Sequence, residues 1–448
     1  MIYIFLGIYI TVLITISVKS SFNVKTHSDF FIAKKKGNFF TITGSLLATI
    51  LGGSAIIGAV EEGSRFGWAI SWYMVCASIG LFALLPLTSK VNQLGKFTLP
   101  DLLENLYNRR ARNIASYIIP IAWLGIVAAQ IIAAAKILQS FTPLSYETGA
   151  IIAGLVFITY TIVGGQVSVL KTDLFQAILI LVGLITIGYF TYTKRCNELS
   201  SISALKFPFN ENFKPIDLLI LLITYSTTFT AGPDIYSRIF CTNDKKIARN
   251  AVLTTALILL PVAFSIGLVG VFGSNCLSSP SAGSIFVQVS NSVLPEWAVA
   301  LIVVSLLSAI LSSADTTILS ASIILTGLIE KGEFGVKTVT TTRWIILLVG
   351  IISIIISLNF TSIIGILLIA LTVYSGAFIV PILFGLIGIT NKSDSAVYAI
   401  VTGGIIALLG KVIYYSYNPQ VGNLIIIFSF AANAAILLFG KKNNEIKR

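Results

Sequence analysis

Long apolar runs separated by short polar stretches fill the chain. A run of about 17–25 predominantly apolar residues is long enough to cross a bilayer as an α-helix. The pattern therefore predicts an all-α integral membrane protein with about 13 transmembrane helices. The predicted spans are 1–18, 41–62, 67–89, 113–140, 147–164, 172–193, 215–237, 249–273, 296–327, 341–358, 361–388, 395–417 and 420–439.

The distribution of basic residues predicts the orientation of these helices. Lysine and arginine cluster in every second polar stretch, as is typical of loops on the inner side of a membrane. The stretch 194–214 is the exception, because it carries basic residues among acidic ones. This asymmetry predicts an odd number of spans, with the N-terminus outside and the C-terminus inside. The basic residues assigned to inner loops are Lys25, Lys34, Lys35, Lys36, Lys90, Lys96, Arg109, Arg110, Arg112, Arg238, Lys245, Lys246, Arg249, Lys331, Lys337, Arg343, Lys441, Lys442, Lys447 and Arg448.

The first apolar run has the features of a span rather than of a signal peptide. No basic residue precedes it, its first lysine is Lys19, and it lacks an A-x-A-like cleavage site. We therefore expect an uncleaved extra N-terminal helix. The polar stretches 19–40, 90–112 and 194–214 are each too short to fold as a soluble domain.

Composition and charge narrow the class further. The 448 residues are 56% hydrophobic and 11% charged, which indicates an integral membrane protein and not a soluble one. We expect a multi-pass protein of the cell (plasma or inner) membrane. The net charge of +12 comes from residues that set topology, so nucleic acid is not an expected partner. A single histidine, His27, argues against His-dependent catalysis. The four cysteines make no C-x-x-C pair, which argues against a zinc site or a disulfide framework: they are Cys76, Cys196, Cys241 and Cys276.

The stretch 306–327 crosses the membrane yet carries a row of hydroxyl groups and one carboxylate, Asp315. A lone carboxylate at membrane depth costs about 2.5–3.5 kcal/mol, so Asp315 requires a partner or a cation. Oxygen-rich faces suit a hard monovalent cation such as sodium. The alternative is that these small side chains pack the helix against a neighbour. The residues that share one face at helical spacing are Ala309, Ser312, Ser313, Thr316 and Ser320.

Two other spans contain residues that interrupt a helix. In the second span, LATILGGSAIIGA places Gly52 and Gly53 in the middle of the membrane. In the seventh, YSTTFTAGPD places Gly232 directly before Pro233. Irregular backbone at membrane depth survives where it lines a cavity. The alternative is that the glycines only allow close helix packing.

The two interruptions occupy corresponding places in two consecutive five-span blocks, 41–193 and 215–388. A paired interruption in two halves of a chain indicates an inverted-repeat transporter whose binding site lies near the bilayer midplane.

Three segments resemble the sodium:solute symporter family, which includes proline, pantothenate, sialic acid and sugar symporters. They are GGQVSVLKTDLFQ (164–176), AGPDIYSRIF (231–240) and AILSSADTTILSAS (309–322). The resemblance implies a LeuT-type fold, in which a five-plus-five inverted repeat follows one extra helix. The units it implies are the extra helix 1–18, the repeats 41–193 and 215–388, and two C-terminal helices in 395–439.

The resemblance also implies a sodium site between the first broken helix and the hydroxyl-rich helix. The family pattern A-x-x-[ST]-[ST] falls on Ala309, Ser312 and Ser313, and the family's pair of backbone carbonyls falls on Ala48 and Leu51. An unwound helix frees carbonyl oxygens, which then replace water around the ion.

Some family members have a second cation position, built from a T-D-x-x-Q aspartate and hydroxyls one turn along the hydroxyl-rich helix. The matching positions here are Asp173, Asp315 and Thr316. Second-site members carry Ser or Thr where this chain has Asp315. The position therefore binds sodium, takes a proton, or makes a structural contact, since two close carboxylates tend to share one proton.

By analogy with the family, the solute site lies beside the two broken helices. Backbone N–H groups near Gly53 are placed to receive a carboxylate at a half-helix N-terminus. The aromatic members have an alternative role as ordinary core residues. Lys136 is expected to snorkel to the interface rather than to contact the solute. Glu61, Glu62 and Arg65 are expected to be solvated loop charges near the outer mouth, and a gate is the alternative role for them. The residues assigned to the solute are Gly52, Gly53, Ser54, Gln130, Tyr225, Phe229 and Thr230.

The resulting expectation is a secondary transporter that couples inward sodium movement to uptake of a small organic solute by alternating access. A proton-coupled symporter that uses Asp173 and Asp315 is the first alternative. An intramembrane enzyme with these two residues as an aspartate dyad is another, although neither lies in a G-x-G-D context. A sensor or a passive channel of the same fold is the third.

Overall fold

The computed structural model describes residues 2–22, 26–194, 207–274, 284–335, 337–389 and 394–440. Several residues used above, namely Lys25, Cys196, Cys276 and the basic residues of 441–448, lie outside these ranges.

The described residues are folded almost entirely as helices, and no strand is assigned within the ranges given above. The α-helices are α1 (Ile2–Ser21), α2 (His27–Ile32), α3 (Phe39–Ile50), α4 (Gly53–Glu61), α5 (Gly63–Phe66), α6 (Trp72–Leu84), α7 (Thr88–Leu94), α8 (Leu99–Leu106), α9 (Arg109–Phe141), α10 (Tyr146–Lys194), α11 (Pro215–Leu221), α12 (Thr227–Ala231), α13 (Pro233–Ile239), α14 (Lys245–Ser274), α15 (Ile285–Val293), α16 (Glu296–Ile329), α17 (Thr338–Asn359), α18 (Ile363–Ile387), α19 (Ser395–Ser416) and α20 (Pro419–Phe439).

Among the described residues, eleven helical segments are long and apolar enough to cross a membrane. They overlap the predicted spans, with α1 contributing a shorter apolar helix, Ile4–Ser20, at the position of the first. The predicted spans 147–164 and 172–193 fall together in the 49-residue α10. The total of 13 spans and the orientation in the membrane stay predictions.

Gly165 divides α10 into the segments 146–164 and 166–194. Its backbone, at φ 60° and ψ −179°, is not helical, and a glycine adopts this positive φ without strain. A straight helix of this length would extend about 73 Å, more than twice the thickness of a bilayer core. The glycine therefore separates two membrane segments that match the two predicted ones.

The structure confirms both predicted helix breaks. Helix α3 ends at Ile50, and Leu51 (φ −79°, ψ 46°) and Gly52 (φ −65°, ψ 153°) are not helical before α4 begins. In the other broken helix, Gly232 has extended backbone (φ −80°, ψ 139°) between α12 and α13. A π-helical turn, Leu222–Ser226, precedes α12.

The hydroxyl-rich helix α16 lies at the centre of the molecule. It packs against α3, α4, α9, α10 and α13, and nearly all its side chains from Ala298 to Gly327 are buried. This arrangement brings the first break, the second break and the hydroxyl-rich face of α16 to one region of the protein. The extents of the two five-helix repeats stay a prediction.

Candidate functional site

The first helix break lies directly against α16, because its two glycines lack side chains. A Cβ atom on Gly52 would overlap the Ser313 hydroxyl, and a Cβ atom on Gly53 would overlap the Ile310 side chain. The Ser313 hydroxyl donates to the backbone carbonyl of Thr49 at 3.0 Å and lies 3.4 Å from that of Ala48. Gly52 and Gly53 therefore both interrupt the helix and allow close packing against α16.

The residues predicted to bind sodium are all buried around this crossing: Ala48, Leu51, Ala309, Ser312 and Ser313. Their hydroxyls point in different directions. Ser313 faces the freed carbonyls of α3, whereas the Ser312 hydroxyl donates to the Oδ1 atom of Asp173 at 2.5 Å.

Asp173 is the centre of a fully buried polar cluster. Arg238 Nη2 lies 3.2 Å from Asp173 Oδ2, and neither side chain is exposed. The same carboxylate oxygen accepts a hydrogen bond from the Ser45 hydroxyl. Arg238 also donates from Nε to Ser45 at 3.0 Å and from Nη2 to the hydroxyl of Thr316.

This cluster corrects the assignment of Arg238 to an inner loop. The charge pattern placed Arg238 among the topology signals, but its guanidinium group joins α13 to α3, α10 and α16 inside the protein. The sequence offered one signal for this role, since Arg238 lies within the AGPDIYSRIF segment.

Asp315 lies beside this cluster, but the cluster does not fill the hydrogen-bonding capacity of its carboxylate. Its side chain is fully buried, and Oδ1 is 3.4 Å from the Thr316 hydroxyl. Its Oδ2 atom has no hydrogen-bond partner among the residues that the structure describes. Asp173 and Arg238 are near enough to act on its charge.

A cavity of about 80 Å³ lies between the two helix breaks. Five of the seven residues predicted to bind solute line it: Gly52, Ser54, Gln130, Tyr225 and Phe229. Gly53 packs on Ile310 instead, and Thr230 turns away and donates to the Gly80 carbonyl of α6 at 2.9 Å. The other lining residues are Thr49, Ile50, Ala55, Trp123, Ile126, Thr228, Gly232, Asp234, Ile235, Ser313, Thr317, Leu367 and Leu371.

Gln130 holds the start of α4 in place. Its amide nitrogen donates to the Ser54 hydroxyl at 2.7 Å, and its amide oxygen accepts from the Ser54 backbone N–H at 3.1 Å. The amide group therefore satisfies one of the N–H groups that the sequence analysis offered to a solute carboxylate.

Asp234 and Trp123 are cavity residues that the sequence analysis missed. The Trp123 indole Nε1 lies 2.9 and 3.0 Å from the two carboxylate oxygens of Asp234. The position of Asp234, two residues after Gly232, was the signal available, since a residue just past a helix break faces the same cavity as the break.

Lys136 and Glu61 form an ion pair that corrects both of their predicted roles. Lys136 Nζ lies 2.8 Å from Glu61 Oε2, and the two side chains are only 20% and 17% exposed. Lys136 thus joins α9 to the end of α4 rather than extending alone to the interface, and Glu61 is not a solvated loop charge.

Two broken helices that face a shared cavity beside a long polar helix are the arrangement of the LeuT-type fold. A structure described as the substrate-bound outward-open state of a Na⁺-coupled sialic acid symporter has this fold. It superimposes with a TM-score of 0.78 at 17% identity and covers 97% of each chain.

The chain belongs to the sodium:solute symporter family, whose model matches residues 30–403. A sodium/proline symporter of Salmonella typhimurium is 21% identical over 437 residues, covering 90% of this chain and 86% of that protein. A sodium/pantothenate symporter of Escherichia coli K12 is 25% identical over 173 residues, covering 36% of this chain and 34% of that protein.

Family membership establishes the general function. The chain is a multi-pass membrane protein and a sodium-coupled secondary transporter of a small solute. This result contradicts the alternative of an intramembrane enzyme with an aspartate dyad, because the family and its relatives transport solutes and are not enzymes.

Proposed function

We propose that sodium binds where the first helix break meets α16, and that the solute occupies the adjoining cavity. The proposal is supported mainly by the close contact of the Ser313 hydroxyl with the backbone carbonyls of Thr49 and Ala48. These oxygen pairs are 3.0 and 3.4 Å apart. Such separations suit neighbouring ligands of one hard cation held at about 2.4 Å from each oxygen.

The ligands in this proposal are the carbonyls of Ala48, Leu51 and Ala309 and the hydroxyls of Ser312 and Ser313, together with the Thr49 carbonyl that the Ser313 hydroxyl contacts. None of these groups carries a formal charge. Sodium held by neutral oxygens is expected to bind modestly and leave readily, as a transport cycle requires. Gly52 and Ser313 also line the cavity, so an ion that orders the break acts on the solute site directly.

The two sites together support uptake by alternating access across the cell (plasma or inner) membrane. Sodium entering from outside orders the first break against α16, the solute binds, and the helices rock to open the site inward. One charge crossing 100 mV contributes about 2.3 kcal/mol, and a tenfold sodium gradient adds about 1.4 kcal/mol. One sodium ion therefore sustains a solute gradient of roughly 500-fold.

The moving parts in this proposal are the two inverted five-helix repeats of 41–193 and 215–388. Each contains one of the broken helices, and α16 in the second repeat packs against α3 and α4 in the first. Helix α1 precedes the repeats, and α19 and α20 follow them.

We further propose that Asp173, Asp315 and Thr316 form a second site that takes a cation or a proton. Arg238 already supplies a positive charge next to Asp173, whereas Asp315 Oδ2 lacks a hydrogen-bond partner in the described part of the chain. One bound proton or cation at Asp315 would satisfy this oxygen. A proton there is the basis of the alternative, proton-coupled mechanism.

The test uses purified protein in liposomes and a solute found by thermal stabilisation with a panel of metabolites in sodium and in potassium. Ligands that bind the folded state raise its apparent stability. Ser313→Ala is expected to raise the sodium concentration for half-maximal uptake by at least about tenfold, since hydrogen-bonding groups at a charge contribute about 1.5–3 kcal/mol. Ser308→Ala is the control, because Ser308 is a buried serine of the same helix that donates to its own helix at Val304.

Unchanged sodium dependence in Ser313→Ala would remove this hydroxyl from the site. Uptake that ignores sodium and follows an imposed pH gradient would instead favour proton coupling. In that case Asp315→Asn is expected to abolish the pH-driven uptake.

A further inference from the structure

We propose that Asp234 recognises a positively charged nitrogen, so the transported solute is a small ammonium compound, such as an amino acid, an amine or a quaternary amine. This inference rests on the proposed function, because it assumes that the cavity between the helix breaks holds the solute. It concerns the chemical class of that solute.

The cavity is lined by one carboxylate residue and by no basic side chain among the described residues. Of the described residues that line it, Asp234 alone has a carboxyl group, and none is a lysine, an arginine or a histidine. The remaining polar groups are hydroxyls, backbone groups and one amide. A cavity with a single carboxylate and no basic side chain favours a cationic group over an anionic one, because an unpaired charge in a dry site is costly.

The partners of Asp234 leave its negative charge without a direct counter-ion. Trp123 donates a neutral N–H to both carboxylate oxygens, and Ser320 supplies a neutral hydroxyl. Arg238 follows one turn later on α13, and its charge acts on Asp234, but its guanidinium group forms no ion pair with Asp234 and is hydrogen-bonded to other groups. Its partners are Ser45, Asp173, Ser237 and Thr316. No ion pair involves Asp234 within the described ranges.

The carboxylate also retains capacity to accept hydrogen bonds. Two carboxylate oxygens have about four acceptor positions, and the described donors do not fill them. An ammonium group has donors and no acceptor, so it complements such a site.

Aromatic rings beside Asp234 complete a site for an organic cation. Trp123, Tyr225 and Phe229 line the cavity, and the last two rings pack at 5.1 Å between centroids. Tyr374 packs against the Trp123 ring at 4.8 Å and holds the indole in place. Aromatic faces attract ammonium groups, most strongly that of tryptophan.

Three backbone N–H groups at the start of α4 already have partners within the protein. The Ser54 N–H donates to Gln130, and the N–H groups of Ala55 and Ile56 donate to the Gly52 carbonyl at 3.1 and 3.0 Å. These three groups are therefore not free for a solute carboxylate, whereas the Asp234 carboxylate at the second break suits a cation.

The first experiment measures binding to the full-length purified protein in sodium by thermal stabilisation. The probes are matched pairs that differ in the charged nitrogen: L-proline with tetrahydrofuran-2-carboxylate, and choline with 3,3-dimethylbutanol. The other amino acids, betaine and putrescine extend the ammonium set, and pantothenate and N-acetylneuraminate serve as acids without an ammonium group. We expect stabilisation by at least one ammonium compound and none by the isostere that lacks its charged nitrogen.

Stabilisation by an acid without ammonium, equal stabilisation by both members of a pair, or no stabilisation across the ammonium set would each overturn the inference. The proposed function is tested separately, through stabilisation by sodium over potassium without any solute. If sodium does not stabilise the protein more than potassium does, the proposed sodium site is contradicted. The results with the solute pairs test the role of Asp234 instead.

The second experiment substitutes Asp234. Asp234→Asn is expected to weaken binding of the ammonium solute by at least about tenfold and to leave sodium stabilisation unchanged. Asp234→Glu should retain part of the affinity. Asp217→Asn is the matched control, because Asp217 belongs to the same broken helix but does not line this cavity.

Two outcomes of this experiment overturn the proposal. One is solute affinity in Asp234→Asn equal to that of the wild type. The other is loss of sodium stabilisation in this variant without solute, which would make Asp234 a sodium ligand. If Asp234→Asn does not fold, Trp123→Phe provides the same reading, because it removes the indole donor and keeps an aromatic ring. An unchanged preference for ammonium solutes and an unchanged affinity in Trp123→Phe would then contradict the proposal.

Discussion

The two helix breaks line one cavity but present different chemistry to it. At the first break, Gly52 and Gly53 bring the backbone against α16, so that neutral carbonyl oxygens meet the Ser313 hydroxyl. At the second break, Gly232 is followed by Pro233 and by the carboxylate of Asp234. The first break offers backbone oxygens, whereas the second offers a charged side chain.

This difference favours separate roles for the two breaks, with the ion at the first and the solute at the second. Neutral carbonyls suit a small ion that must bind and leave within every cycle. A carboxylate among aromatic rings suits an organic cation, whose shape and charge can both be recognised. Two breaks that line one cavity need not bind the same kind of ligand.

One side chain connects the two breaks outside the cavity. Arg238 extends from the helix that follows the second break and contacts Ser45, on the helix that precedes the first. It also contacts Asp173 and Thr316. Because these four residues come from four helices, the cluster fixes the relative position of the breaks.

The largest effect is expected from Arg238→Met. Removing one partner of a buried ion pair leaves an uncompensated charge at Asp173 and is expected to lower the free energy of unfolding by about 3–5 kcal/mol. Thermal and denaturant unfolding of the purified protein measure this loss. The double variant Arg238→Met with Asp173→Asn should recover part of the stability, because it removes the stranded charge. Stability equal to that of the wild type in the single variant would show that the cluster does not hold the breaks together.

A smaller but more local effect is expected from Gly53→Ala. The added Cβ overlaps Ile310, and overpacking of this kind costs about 1–3 kcal/mol. The first break must then move away from α16. We therefore expect a larger loss in the thermal stabilisation by sodium than in the affinity for the solute. Ile310→Ala in the same chain should restore it, and Gly7→Ala on α1, where a Cβ meets no atom within 4 Å, is the control. Equal losses for sodium and solute would argue against separate roles for the two breaks.

The sequence predicts the features that depend on one helix at a time. Apolar length predicts the spans, glycine and proline predict the two breaks, and helical spacing predicts the polar face that carries Ser312 and Ser313. These signals are local, because each is contained in residues that are close together in the sequence.

The sequence predicts poorly which distant residues meet. Arg238 and Asp173 are 65 positions apart, and Arg238 and Ser45 are 193 apart. No periodicity within a helix relates such residues, so Arg238 resembles the loop arginines that follow other spans. Gln130 lines the cavity, and its role in binding solute stays a prediction; its bonds to Ser54 depend on how α9 packs against α4. Asp234 lies within the AGPDIYSRIF segment, but the sequence alone assigns it no role, because the cavity that it lines exists only after folding.

The smallest effect is expected from Thr230→Val, which tests where the second break stops contacting solute. Phe229 lines the cavity, but the next residue is rotated by about 100° on a helix. Thr230 therefore faces α6, where its hydroxyl donates to the Gly80 carbonyl. The substitution should cost about 0.5–1.5 kcal/mol of stability through this lost hydrogen bond and leave the solute concentration for half-maximal uptake unchanged. Thr228→Val is the matched comparison, since Thr228 lines the cavity and its replacement should alter that concentration. A shift for Thr230→Val as large as for Thr228→Val would extend the solute site to Thr230 and would weaken the assignment of recognition to Asp234 and its aromatic neighbours.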